Sequence, residues 1–229
     1  MKKSALHIVI LAIFFLPALC LADSAVPGAY MSGLIGVHAA KDTYTSSTDF
    51  VTDNAYNDRV EFDPGLNIGF TGGYDFGIVR LEGELSYKNA EIKAVTNQVT
   101  GERLHDTYGD VGVLAMMFNG FLDLHNNTVV TPYLGGGIGF ASIQLSDTLA
   151  TRRVGNSSQR VLLYGTGSDN VLAYQFGGGI DIALNRHFSL DIGYRYFSAD
   201  RAHIDSDQDI STDLKFASHT TALGFKYRY

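Results

Sequence analysis

Apolar and polar positions alternate with a period of two over most of this chain, the spacing of a β-strand with one greasy face. In "HTTALGFKYRY", residues 219–229, one face carries Thr221, Leu223, Phe225, Tyr227 and Tyr229, and the other carries Thr220, Ala222, Gly224, Lys226 and Arg228. "HFSLDIGYRYF", 187–197, sets Phe188, Leu190, Ile192, Tyr194 and Tyr196 against Ser189, Asp191, Gly193 and Arg195. "IVRLEGELSY", 78–87, sets Val79, Leu81, Leu85 and Tyr87 against Arg80, Glu82, Glu84 and Ser86. "VLAYQFGGGIDIAL", 171–184, sets Leu172, Tyr174, Phe176, Ile180 and Ile182 against Ala173, Gln175, Gly177, Gly179 and Asp181.

The pattern predicts eight strands, at about 29–38, 63–75, 78–89, 108–122, 129–145, 170–183, 187–198 and 216–229. Short connections alternate with long polar ones at about 39–62, 90–107, 146–169 and 199–215. That is an up-and-down meander with both ends of the strand region on the short-turn side. Eight antiparallel strands gain by closing, since closure removes two unpaired edges.

Three features point the greasy face at lipid rather than inward. The polar face is mostly small, yet it carries Arg80, Glu82, Glu84, Asp181, Asp191, Arg195, Lys226 and Arg228, four bases and four acids that can pair inside a narrow barrel. Tyrosines gather at strand ends: Tyr30, Tyr74, Tyr227 and Tyr229 on the short-turn side, Tyr87, Tyr174, Tyr194 and Tyr196 on the long-loop side. Two such belts suit two membrane interfaces. The strands also reach the roughly 9–11 residues a tilted membrane strand needs. The expected fold is all-β, an eight-stranded antiparallel up-and-down transmembrane β-barrel.

The start of the chain changes the picture of its destination. "MKKSALHIVILAIFFLPALCLADS" has two lysines, an apolar run and a small-residue exit, so it reads as a signal peptide over 1–22, with the barrel over 23–229. The rival readings are a lipoprotein signal acylating Cys20 and a retained membrane helix. Cleavage would remove the single cysteine together with Lys2 and Lys3, taking the formal net charge from −7 to −9. No disulfide can then form, and an exported acidic chain is a poor binder of nucleic acid.

Four segments resemble the bacterial outer-membrane β-barrel family, which includes opacity-type surface antigens and OmpA-like eight-stranded barrels. They are "GYDFGIVRLEGELSY" (73–87), "MMFNGFLDLHNNTVVTPYLGGGIGFA" (116–141), "LAYQFGGGIDIALNRHFSLDIGYRYF" (172–197) and the closing "HTTALGFKYRY". The four long loops are unmatched. The resemblance implies a bacterial outer-membrane location and a terminal strand read by the barrel-assembly machinery. It also implies a membership that spans adhesins, immune-evasion antigens and structural barrels.

Candidate sites are sparse. The interior charges read as a structural salt-bridge plug, with a pore lining as the alternative; Arg80 with Glu82 or Glu84, and Arg195 with Asp191 or Asp181, are candidate pairs whose partners the sequence does not fix. Arg152, Arg153 and Arg160 are candidates for contact with lipopolysaccharide phosphates. Asp205, Asp207 and Asp209 are spaced like the start of a calcium loop. Ile210 and Phe216, however, stand where the glycine and the closing glutamate belong, so a solvated acidic loop is the plainer reading. Ser198, Asp200 and His203 lie close together without a framing motif, and no enzyme or cofactor is expected.

The expected function is a structural or adhesin-like surface barrel whose loops contact host, cell-surface or lipopolysaccharide partners. The alternatives are a narrow pore, or a lipid A-modifying enzyme.

Overall fold

A computed structural model describes residues 27–49, 54–104, 107–126, 128–154, 157–206 and 210–229; residues 1–22, read above as a signal peptide, lie outside them. Among the described residues the chain forms thirteen strands. Eight build the barrel: β1 (Gly28–Ala40), β4 (Gly65–Asp75), β5 (Val79–Asn97), β7 (Asp110–Asp123), β8 (Val130–Leu145), β11 (Gly167–Ala183), β12 (Phe188–Asp205) and β13 (Ile210–Arg228). Each pairs antiparallel with the next, and β13 closes on β1 through a register that sets Ser32 opposite Lys226 and Val37 opposite Thr221. At the tight turn between β4 and β5, Gly77 has φ near 100°, and its N–H donates to Asp75 at 2.8 Å. A side chain is strained in that conformation.

The long connections are not the plain loops the sequence pattern suggests. The first contains β2 (Thr43–Asp49) and β3 (Asn54–Phe62), and a two-residue strand β6 (Arg103–Leu104) pairs with β5. β2 pairs with the upper end of β13, and β3 with the upper end of β5. This hairpin thereby carries the wall upward where β1 and β4 have ended. A separate hairpin, β9 (Thr148–Val154) with β10 (Ser157–Tyr164), is tied to the chain before β7 by a bridge between Tyr108 and Leu149.

β5 shows how one strand serves two environments. Its buried positions run Arg80, Glu82, Glu84, Ser86, Lys88, then Ala90, Ile92 and Ala94. Its outward positions run Leu81, Leu85 and Tyr87, then Asn89, Glu91 and Lys93. The alternation holds as far as Ala94, beyond which Val95 is buried as well, but the polarity of the two faces exchanges near Lys88. The same exchange occurs along β13, where the interior changes from Lys226 and Thr220 to Phe216 and Leu214. Below the exchange lipid lies outside, and polar groups can be accommodated only inside. Above it water lies outside, and the interior becomes an ordinary hydrophobic core. That core includes Val60, Phe62, Ile92, Val113, Ile143, Phe197, Ile204 and Phe216. Phe216 packs edge-on against Phe62 and Phe197, with centroids 6.5 and 6.3 Å away.

Candidate functional site: the filled lumen and its outer mouth

The inward positions near the short turns bring most of the charges together. Arg195 on β12 reaches Glu84 on β5 and lies 3.4 Å from Glu82. Glu84 also accepts from Gln175 at 2.8 Å and Asn119 at 3.0 Å, and Glu82 accepts from the Tyr30 hydroxyl at 2.7 Å. Lys226 pairs with Asp181, and Arg228 sits 3.3 Å from Asp75. Asp191 accepts from the Tyr133 hydroxyl at 2.9 Å. Arg80 lies 3.2 Å from Asp123, close enough for an ion pair though out of line for a hydrogen bond. Its guanidinium also stacks over Tyr133 and Phe121, at 4.7 and 5.0 Å.

These contacts correct the candidate pairs. Arg80 binds Asp123 rather than Glu82 or Glu84, and Arg195 takes those glutamates rather than Asp191 or Asp181. Neighbours on one strand face are set by the pleat, but long side chains reach across the lumen to other strands. Asp75, Asp123, Lys88, Asn119 and Gln175 complete the layer. Lys88 and Gln175 share their strands' inward parity with Glu84 and Asp181, and Asp75 and Asn119 lie across from Arg80 and Glu82, which was the available signal; Asp123 has only its parity with Asn119. Gly137 and Gly193 make room: a Cβ would come within 2.0 Å of the Asn119 side-chain oxygen or 2.7 Å of the Tyr133 hydroxyl. The cavity remaining between Arg80, Glu82, Tyr133, Asp191, Arg195 and Lys226 is about 20 Å³. That is room for a single water.

The tyrosines divide. Tyr74, Tyr87, Tyr174, Tyr194 and Tyr229 are exposed on the outer wall, and Tyr196 and Tyr227 are half-buried. Tyr30 does not belong to the interface belt. It is 3 % exposed, inside the lumen, because it shares its parity with Ser32 and His38 while Met31, Ile35 and Val37 take the lipid face.

At the long-loop end, Arg152 and Arg153 lie on β9 opposite Gln159 and Ser158, and their side chains fall outside the described residues. Arg160 is exposed, 5.5 Å over the Tyr108 ring. Asp207 and Asp209 also lie outside the described residues. Asp205 stands 3.5 Å from His203. Among the described residues no group of three or more metal-ligating side chains converges.

Ser198 is buried, whereas His203 is largely exposed. His203 contacts Asp213 at 2.7 Å and the Ser211 hydroxyl at 3.2 Å. Strand register produces this ladder: His203 is directly opposite Asp213, and Ser211 is opposite Asp205. The Asp213 hydrogen bond holds the His203 pKa above its ordinary value.

A closed antiparallel meander with a lipid-facing wall is the architecture of an outer-membrane barrel. The outer membrane protein β-barrel domain matches residues 8–229. The chain belongs to this family. It is 29 % identical over 226 residues to the outer membrane protein PagN of Salmonella typhimurium, covering 90 % of this chain and 92 % of that one. Among solved structures it is similar to OprG from Pseudomonas aeruginosa, with a TM-score of 0.58 and 15 % identity over 91 % of this chain and 99 % of that one. Neisserial surface protein A gives a TM-score of 0.47 at 15 % identity, over 88 % and 99 % of the two chains. This chain is thus an outer-membrane β-barrel protein of Gram-negative type. In such barrels the short turns face the periplasm and the long connections face outward.

Proposed function

We propose that this barrel is a surface interaction protein, structural or adhesin-like, that neither conducts nor catalyses. The carrying observation is the interior, which is filled twice over. A charged layer leaves about 20 Å³ of space, and an apolar core that includes Phe197 and Phe216 lies above it. Eight strands give a lumen that side chains can fill. The elaborated part of the molecule is the outer end, where β2, β3, β6 and the β9–β10 hairpin extend the wall. Contacts with host, cell-surface or lipopolysaccharide partners belong to that end, with Arg152, Arg153 and Arg160 as the contacts for lipopolysaccharide phosphates.

Single-channel recording of the folded barrel in a planar bilayer tests this reading. Folding is first verified by heat-dependent migration on a denaturing gel. A silent membrane is the expected result, and steady, well-defined openings would replace it with the pore.

A further inference from the structure

At the outer mouth, a cavity of about 330 Å³ lies between β2, β3, β5, β6, β10 and the start of β13. That is the lower end of the range for ligand pockets, about 300–1,000 Å³. Val95, Leu104, Leu163 and Ile210 supply apolar wall, and the half-exposed Tyr56 stands at its edge. Asp58 and Glu102 line it as well, and Asp58 is only 7 % exposed.

Its carboxylate partners among the described residues are neutral. Tyr164 donates to one oxygen at 3.1 Å, and Asn97 to the other at 3.0 Å. Each oxygen keeps a second lone pair. Burial outweighs both hydrogen bonds and pushes the Asp58 carboxyl above its ordinary pKa. In the inner charged layer Asp75, Glu82, Glu84, Asp123 and Asp181 each meet a lysine or arginine, whereas this carboxylate has only dipoles. Taking a carboxylate out of water is costly unless a cation meets it.

We propose that the Asp58 cavity is a binding site for an alkylammonium group, carried by a lysine side chain of a partner protein or by a free aliphatic amine. The apolar wall suits a methylene stem, which lysine buries readily while its head stays polar. One oxygen is taken by Tyr164 and the other by Asn97, so a compact ammonium with three rotatable donors fits better than a planar guanidinium fork. The inference rests on the reading that the long-loop end faces outward, and it names the chemistry that end recognises.

The test is calorimetric titration of the full barrel, purified from outer membranes in detergent. The titrants are N-acetyl-lysinamide, 1,5-diaminopentane and, as the uncharged control, N-acetyl-norleucinamide. The expected result is binding by at least one ammonium compound, weakened at least about tenfold in the norleucine control and in Asp58→Asn. Leu104→Trp, which fills the cavity and leaves Asp58 in place, is expected to block binding as well. Heat-dependent gel migration confirms that each variant is folded. Stronger binding of the lysine compound identifies a protein partner, and stronger binding of the diamine identifies a free amine; both support the pocket. Equal binding of the norleucine control, full binding by Asp58→Asn, or no binding by either ammonium overturns it. None of those failures alters the conductance result, so the two readings are separable.

Discussion

Arg195 and Glu84 form an ion pair across the full width of the barrel, from β12 to β5, strands that stand opposite one another in the closed order. The two residues are 111 positions apart in the chain. Gln175 and Asn119 donate to the same glutamate, so the pair is held from four strands at once. Such a contact resists ovalisation of the wall as well as filling it.

Breaking this pair from one side leaves a buried charge without its partner. Glu84→Ala is expected to destabilise the folded barrel by about 3–5 kcal/mol. Replacing both members with apolar residues, Glu84→Leu with Arg195→Met, is expected to recover most of that loss. Reversible urea unfolding in lipid vesicles measures both, and a double variant as weak as the single one would refute the account.

In the proposed reading, the two interior layers close the lumen in series. Removing one is therefore expected to leave the other as a seal. Glu84→Ala with Arg195→Ala should stay silent in a planar bilayer, because Phe197 and Phe216 still meet above. Phe216→Ala should stay silent too, while costing about 3–5 kcal/mol from the emptied core. Current from either variant alone would show that one layer does the sealing.

The exchange of polarity along β5 makes depth measurable by substitution. Leu85→Arg, on the lipid-facing wall, is expected to cost up to about 2–4 kcal/mol of folding free energy in a bilayer. Glu91→Leu, six residues further along the same face and in water, is expected to change stability by less than about 0.5 kcal/mol. Equal costs at the two positions would place the membrane boundary elsewhere.

His203 holds its proton to higher pH than an ordinary histidine because Asp213 accepts a hydrogen bond from it, with Asp205 and Asp169 adding negative charge nearby. A raised folded-state pKa means that the interaction is fully present at low pH and is lost as pH rises through that value. Titration of the His203 ring by NMR should give a midpoint above about 6.5. In Asp213→Asn the midpoint should fall back towards that figure. An unchanged midpoint would mean that Asp213 does not set it.

The strands were legible because lipid on one side and a narrow lumen on the other force a strict alternation. "HTTALGFKYRY" shows it without any neighbour in view, and its pairing to β1 follows from closure. The parity of Tyr30 was legible as well, since Ser32 and His38 share it; its aromatic ring suggested an interface only when considered apart from that parity. The outward extension was written as the change from Lys88 to Ala90, Ile92 and Ala94, at positions first read as the start of a loop. Tertiary structure alone decided which acid each base meets, because a long side chain in a lumen chooses among strands far apart in sequence. It also decided that Asp58, one acid among several in a polar stretch, is buried beside Tyr164, since β3 and β10 meet there only after the barrel has closed.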